Sequence, residues 1–263
     1  MNNISRRFLG KVGFPDHERI AFHQLDALLE QTAKSIPFEN LRIIANRTRP
    51  ISMENLVDKV LVRKEGGLCY ELNPLLHQIL VEQGFHAVLT RGTVFNQTKG
   101  AYAATGSTHV AILLHHRDQT YLVDTGFGGN LPLKPVPLSG DVATSSNGSF
   151  KVSEVHSAYG DYVLEMKLKN KDDDWRIGYA FHSGQAVRDF SELNQIQSII
   201  VEHPQSSFNK HPLLTKRTDR GSMTLTDSSF TQWINGTMTK ESINHSVYKQ
   251  YLRQYFGRDE SLI

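Results

Sequence analysis

An α+β fold is predicted for this chain, with helices first, an antiparallel sheet or barrel in the middle and mixed elements last. Three observations lead there. Apolar residues recur at helical spacing from about residue 15 to 85. From about 86 to 182 they fall into six short alternating or β-branched runs separated by turn-rich breaks, and beyond that both patterns occur. At 263 residues the chain can bury a substantial core yet sits near the size where single cores stop growing, so two or three packed subdomains are expected.

Ile20, Leu25, Leu28 and Leu29 form the first helical stripe, and Leu56, Val57, Val60 and Leu61 the second, with Asp16 and Ser52 as candidate N-caps. A third helix runs from near Cys69 to Glu82 and stops at Gly84, a glycine suited to the left-handed residue after a helix. Pro74 leaves its start open: proline fits a first or second turn, or Asn73 caps a helix beginning at Pro74. The strand-like runs are "AVLTRGTV", "HVAILLH", "TYLVDTGF", "FKVSEV", "YVLEMKL" and "WRIGYAF", and "LSGDVATSSNGS" at 138–149 is the longest break. Six such runs suit a compact antiparallel sheet or barrel. In the last part "DFSELNQIQSIIVEH" and "HSVYKQYLRQYF" read as helices, and "SMTLTD" as a strand between them. The sequence shows neither an internal repeat nor a long disordered tract.

Charge excludes some partners. Lys and Arg number 29 against 27 Asp and Glu, leaving +2 spread without long like-charge runs, so neither a nucleic-acid nor a membrane surface is indicated. The longest apolar run, "VAILL" at 110–114, is strand-sized and far short of the roughly 20 residues of a membrane span. A single cysteine forms no internal disulfide, and "MNNISRRFLGKVGF" has no apolar run of signal-peptide length, so a cytoplasmic protein is expected. Despite 12 histidines there is no cysteine pair and no His-Glu-x-x-His, and the pair at 115 and 116 sits by a turn, so no metal site is expected.

The lone thiol stands in "EGGLCYELN", residues 65–73. A thiol reacts as thiolate, which a helix N-terminus or a neighbouring imidazole favours. Gly66 and Gly67 allow a sharp turn and close approach to a ligand, and amides at the following helix start suit an oxyanion. Taken alone, a single cysteine is more often a small core hydrophobe. The stretch "STHVAILLHHRDQTYLVDTGFGG", residues 107–129, supplies what a nucleophile needs. Two apolar runs flank a polar turn, the pattern of a hairpin, with His109 beginning the first strand and Asp124 ending the second. If the turn centres between two residues, His109 and Asp124 share a face, directly or diagonally opposite; a register shifted by one separates them. Cys69, His109 and Asp124 then provide a nucleophile, a base and a carboxylate to orient the base.

The sequence resembles the arylamine N-acetyltransferase family, through "IPFENL" at 36–41, "GGLCYELN" at 66–73, "STHVAILL" at 107–114, "YLVDTGFGG" at 121–129 and "SSFNKHPLLTKRTDRGSMTLT" at 206–226, in the family's order. The order Cys, His, Asp is also that of transglutaminase-like thiol enzymes. The resemblance implies a helical first domain, a β-barrel second domain and an α/β lid, placed here at 1–85, 86–188 and 189–263. It implies a Cys69, His109, Asp124 triad that takes an acetyl group from acetyl-CoA and passes it to the amine of an arylamine or arylhydrazine. Phe38 and Phe127 are expected against the aryl ring, and Thr105, Gly106 and Thr108 in the acyl and CoA contact region. One position departs: Glu65 stands where the family usually has arginine, and a carboxylate near Cys69 would oppose thiolate formation. Two alternatives stay open, a thiol amidase on the same triad and an inactive binder of CoA or aromatic ligands.

Overall fold

Amphipathic helices open the chain because the stripes above have a common core to cover. The computed structural model describes residues 3–15 and 19–259; Asp16, one of the expected caps, lies outside them. Helix α1 (Asn3–Val12) buries Phe8, Leu9 and Val12, and α2 (Leu25–Ser35) buries Leu25, Leu28 and Leu29. A two-residue strand β1 (Phe38–Glu39) and the single turn of α3 (Leu41–Ile44) follow. Next comes α4 (Met53–Val57), capped by Ser52 as expected, its hydroxyl accepting the Asn55 amide at 3.2 Å. A wide turn over Asp58–Val62 leads on to α5 (Cys69–Glu82). Pro74 therefore sits in the second turn of a helix that starts at Cys69, and Gly84 ends it at φ +90°.

The middle of the chain forms β2 (His86–Asn96), β3 (Ala101–Tyr102), β4 (His109–His116), β5 (Gln119–Val123), β6 (Val136–Pro137), β7 (Ala143–Ser145), β8 (Gly148–Ser157), β9 (Gly160–Leu168) and β10 (Arg176–Ala186). They pair antiparallel in the order β6-β5-β4-β2-β10-β9-β8-β7, with β3 against β2, and the sheet curls until β6 meets β8, an almost closed barrel. Strand β4 explains the unbroken apolar run of the sequence: Val110, Ile112 and Leu114 face the helical core, while Ala111 and Leu113 face the barrel interior. The break expected over 138–149 contains β7 and the start of β8.

The last part holds α6 (Phe190–Glu202), β11 (Leu213–Thr218), β12 (Gly221–Thr226), β13 (Ser229–Ile234), β14 (Thr237–Ser242) and α7 (His245–Phe256). Its sheet runs β1-β11-β12-β13-β14, so the first part of the chain supplies the edge strand of the last. Residues of this last part join two different cores. Leu193, Ile196 and Ile200 of α6 pack into the helical core, whereas Leu214, Leu225, Phe230, Tyr248 and Leu252 build a separate core with Leu41. The physical reason is the i, i+3, i+7 stripe on α6, which matches the apolar face of α5. No helix among the described residues is long and apolar enough to cross a membrane.

Candidate active site

Cys69 is the first residue of α5, held there by a clamp of charges behind it. Extended Leu68 caps the helix, and its amide donates to Glu71 Oε2 at 2.9 Å, the reciprocal half of a capping box. Glu71 Oε1 accepts from Lys59 Nζ at 2.6 Å, and Glu39 Oε1 lies 3.7 Å from the same ammonium. Gly66 and Gly67 allow this packing. A Cβ on Gly66 would stand 2.0 Å from the Pro37 carbonyl oxygen, and Gly67 exchanges backbone bonds with Pro37 and Glu39 at 3.2 and 3.1 Å.

The imidazole and carboxylate come from the hairpin. The β4–β5 register pairs Ile112 with Val123 and His116 with Gln119 across Arg117–Asp118. Continued one step, it sets Asp124 opposite Ala111, making Asp124 the diagonal neighbour of His109 on the barrel-facing side. His109 Nε2 lies 2.7 Å from Asp124 Oδ2, leaving Nδ1 as the ring nitrogen free for the thiol, which is close enough to act on the imidazole electrostatically. Cys69 Sγ is also 3.7 Å from the Thr108 carbonyl oxygen, and the residue is 9 % exposed.

Asp124 is fully buried and saturated with donors. Besides His109, it accepts from Tyr179 Oη at 2.9 Å, Asn73 Nδ2 at 2.8 Å and the Gly126 amide at 2.7 Å. Burial pushes its carboxyl upward, but the His109 charge and the bonds from His109, Asn73 and Gly126 bring it below its ordinary value. For His109, burial works against the charged form, and the charges of Asp124 and Cys69 overcome it, lifting the imidazole to about 10. The ring is packed between Tyr179 and Phe127, at centroid distances of 4.3 and 5.2 Å.

Cys69 and His109 open onto a cavity of about 770 Å³. Phe38, Phe127, Thr105 and Thr108 line it; Gly106 does not, and its φ of +67° instead forms the turn that carries Thr105 and Thr108. Sequence reasoning missed Phe208, which meets Phe38 edge-on at 5.7 Å, and also Asn73 and Tyr179. Phe208 lies inside the "SSFNKHPLL" motif, and Asn73 follows Cys69 at i+4 on one helix face, so both left a trace; Tyr179 left none. Lys99 and Asn96 also line the cavity. The 138–149 segment is not part of the lining. Its Asn147 accepts from Arg217 and donates to the carbonyls of Gly129 and Leu131, steadying the turn that is.

Glu65 does not oppose the thiol directly. Its carboxylate lies outside the cavity lining and binds Arg42 Nε at 2.6 Å and Arg258 Nη2 at 3.2 Å. Burial alone would raise its carboxyl, yet those guanidinium groups hold it below the ordinary carboxylate value.

Known proteins share this fold. A family profile described as N-acetyltransferase matches residues 21–259. An uncharacterized acetyltransferase of Bacillus subtilis, YvcN, is 37% identical, the match covering 97% of this chain and 98% of the relative. The crystal structure of the NAT3 arylamine N-acetyltransferase of Bacillus cereus, described as having a Cys-His-Glu triad, superposes with a TM-score of 0.93 at 39% identity over 98% of this chain and 100% of that one. The arylamine N-acetyltransferase of Salmonella typhimurium gives 0.84 at 26% identity, covering 98% and 92%. A thiol, an imidazole and a carboxylate meeting where three packed parts join, on a fold shared over its whole length with these enzymes, make the chain a member of the arylamine N-acetyltransferase family.

Proposed function

We propose that the protein moves an acetyl group from acetyl-CoA to the amine of an arylamine or arylhydrazine through an acetyl-Cys69 intermediate. The observation that carries this is the Cys69–His109–Asp124 chain opening onto a cavity with an aromatic wall. An imidazolium held beside sulfur stabilises thiolate over thiol. The thiolate attacks the thioester carbonyl, and amides in the first turn of α5 stabilise the oxyanion. The carbon–sulfur bond to CoA breaks, and the departing thiolate takes the proton from His109. The amine nitrogen then attacks acetyl-Cys69 while neutral His109 accepts its proton, so the amide forms and the ion pair is restored.

Asp124 is assigned the third place in the triad, with its charge fixing and stabilising the imidazolium. Phe38 and Phe127, joined by Phe208, suit a flat ring. Thr105 and Thr108, which line the same cavity, are assigned to the acyl donor, and Lys99 suits its phosphates. The chemistry requires no metal. A nucleophilic thiol persists in a reducing compartment, which supports the cytoplasmic assignment. Initial rates with acetyl-CoA and an arylhydrazine should give parallel double-reciprocal lines, and none above background in Cys69→Ala; intersecting lines would mean direct transfer without an enzyme-bound acetyl group.

A further inference from the structure

Behind the loop that leads to Cys69 lies a second cavity, of about 220 Å³, which shares no residue with the first. Arg42, Arg47, Arg49, Arg63 and Arg258 line it, with Glu65 and Leu41. Among the described residues two carboxylates pair with four of these five cations. Glu65 takes Arg42 and Arg258, and Asp58 Oδ2 takes Arg49 Nη1 at 3.3 Å and Arg63 Nε at 2.8 Å. Arg47 has no carboxylate partner among the described residues. Arg258 also donates through Nη1 to the Arg63 carbonyl at 3.2 Å, so the guanidinium groups that can turn donors toward the cavity are those of Arg47, Arg49 and Arg63.

Like charges gathered in one cleft repel unless an anion neutralises them, and the planar guanidinium fork matches phosphate oxygens. The volume is below the roughly 300–1,000 Å³ of pockets that enclose drug-sized ligands, which favours a compact anion over a whole nucleotide. We propose that this cleft binds a small polyanion of the diphosphate class, through Arg47, Arg49 and Arg63, with Arg42 and Arg258 at its back. Bound there, the anion ties the C-terminal segment at Arg258 to the loop at Arg63 and Glu65, and favours the folded chain by mass action.

Calorimetric titration of the full chain with inorganic pyrophosphate tests this, comparing wild type, the double variant Arg47→Gln/Arg63→Gln and Lys99→Gln at the other cavity. The site predicts saturable binding that weakens with salt, falls about tenfold or more in the double variant and is unchanged in Lys99→Gln. Both arginines stand at the surface of the cleft, and an unchanged thermal midpoint without ligand controls for folding. ADP in a parallel titration separates the sources: comparable binding points to a nucleotide-borne diphosphate with its base outside, and weaker binding to the free anion. Absence of saturable pyrophosphate binding at millimolar concentration, equal binding by the double variant, or loss in Lys99→Gln would each overturn the proposal.

Discussion

Asp124 shows how a buried carboxylate is kept charged. Removing a carboxylate from water is costly, and here four donors compensate. The donors are not equivalent. Asn73 also donates to the Val110 carbonyl and accepts from Thr125, so Asn73→Ala strands several buried polar groups. It should cost about 2–4 kcal/mol in urea unfolding as well as lowering kcat/KM. Tyr179→Phe removes one hydroxyl only and should cost about 1–3 kcal/mol, with the ring still packed on His109. His109 has a second, pH-dependent signature. Its imidazole is raised from 6.5 to about 10, so the stability it contributes is complete below 6.5 and lost as pH rises through about 10. Asp124 is depressed, so its contribution is present above 3.8 and lost as pH falls through its lower folded value. Urea midpoints below, within and above the histidine window should show wild type losing its advantage over His109→Gln as the window is crossed; a constant difference would contradict the assignment. The hairpin's parity made His109 and Asp124 legible, because two strands and a short turn fix it locally. Tyr179 was not legible, since β10 reaches Asp124 only through tertiary pairing. Glu65 was readable as a departure, but not Arg42 and Arg258, which neutralise it from far along the chain.

At the scale of elements, the start of α5 is positioned from both sides. Lys59 joins Glu39 of β1 to Glu71 of α5 in a buried ionic cluster. Lys59→Met would leave two buried carboxylates without their cation and should cost about 3–5 kcal/mol in denaturant unfolding. From the other side the loop after β5 presses close: a Cβ on Gly126 would stand 2.5 Å from the Cys69 Cα and 2.8 Å from Asn73 Nδ2. Gly126→Ala should therefore lower both the thermal midpoint and the rate of Cys69 alkylation. Gly10→Ala, inside α1 with nothing within 4 Å of its added Cβ, should instead raise stability by about 0.5–1 kcal/mol. The end of α5 was readable because an apolar stripe and a terminal glycine agree, whereas its start was not, since Pro74 fits either a second turn or a first helical position. Strand β13 and its neighbour β14 at the sheet edge were not readable either, since "SFTQWI" and "TMTKES" have most side chains part-exposed or exposed, which erases the alternation of a half-buried strand.

Across the whole molecule, three parts of the chain meet at the cavity. Cys69 and Phe38 come from the helical part, Thr108, His109 and Phe127 from the barrel, and Phe208 and Thr215 from the last part. Two elements bind these parts together: β4, buried on both faces, and β1, which gives its edge to the C-terminal sheet at Phe38–Thr215. The mixture of helices and antiparallel strands was evident from periodicity alone. The sharing of β1 and α6 between parts was not, because a two-residue strand carries no period and an amphipathic helix does not name its partner. The account makes the site a single acyl-carrying machine assembled from all three parts. Intact-protein mass spectrometry after mixing with acetyl-CoA alone tests that claim most directly. The account predicts a gain of one acetyl group that is absent in Cys69→Ala and disappears when an arylamine is added; an unmodified protein whose Cys69 still alkylates would contradict it.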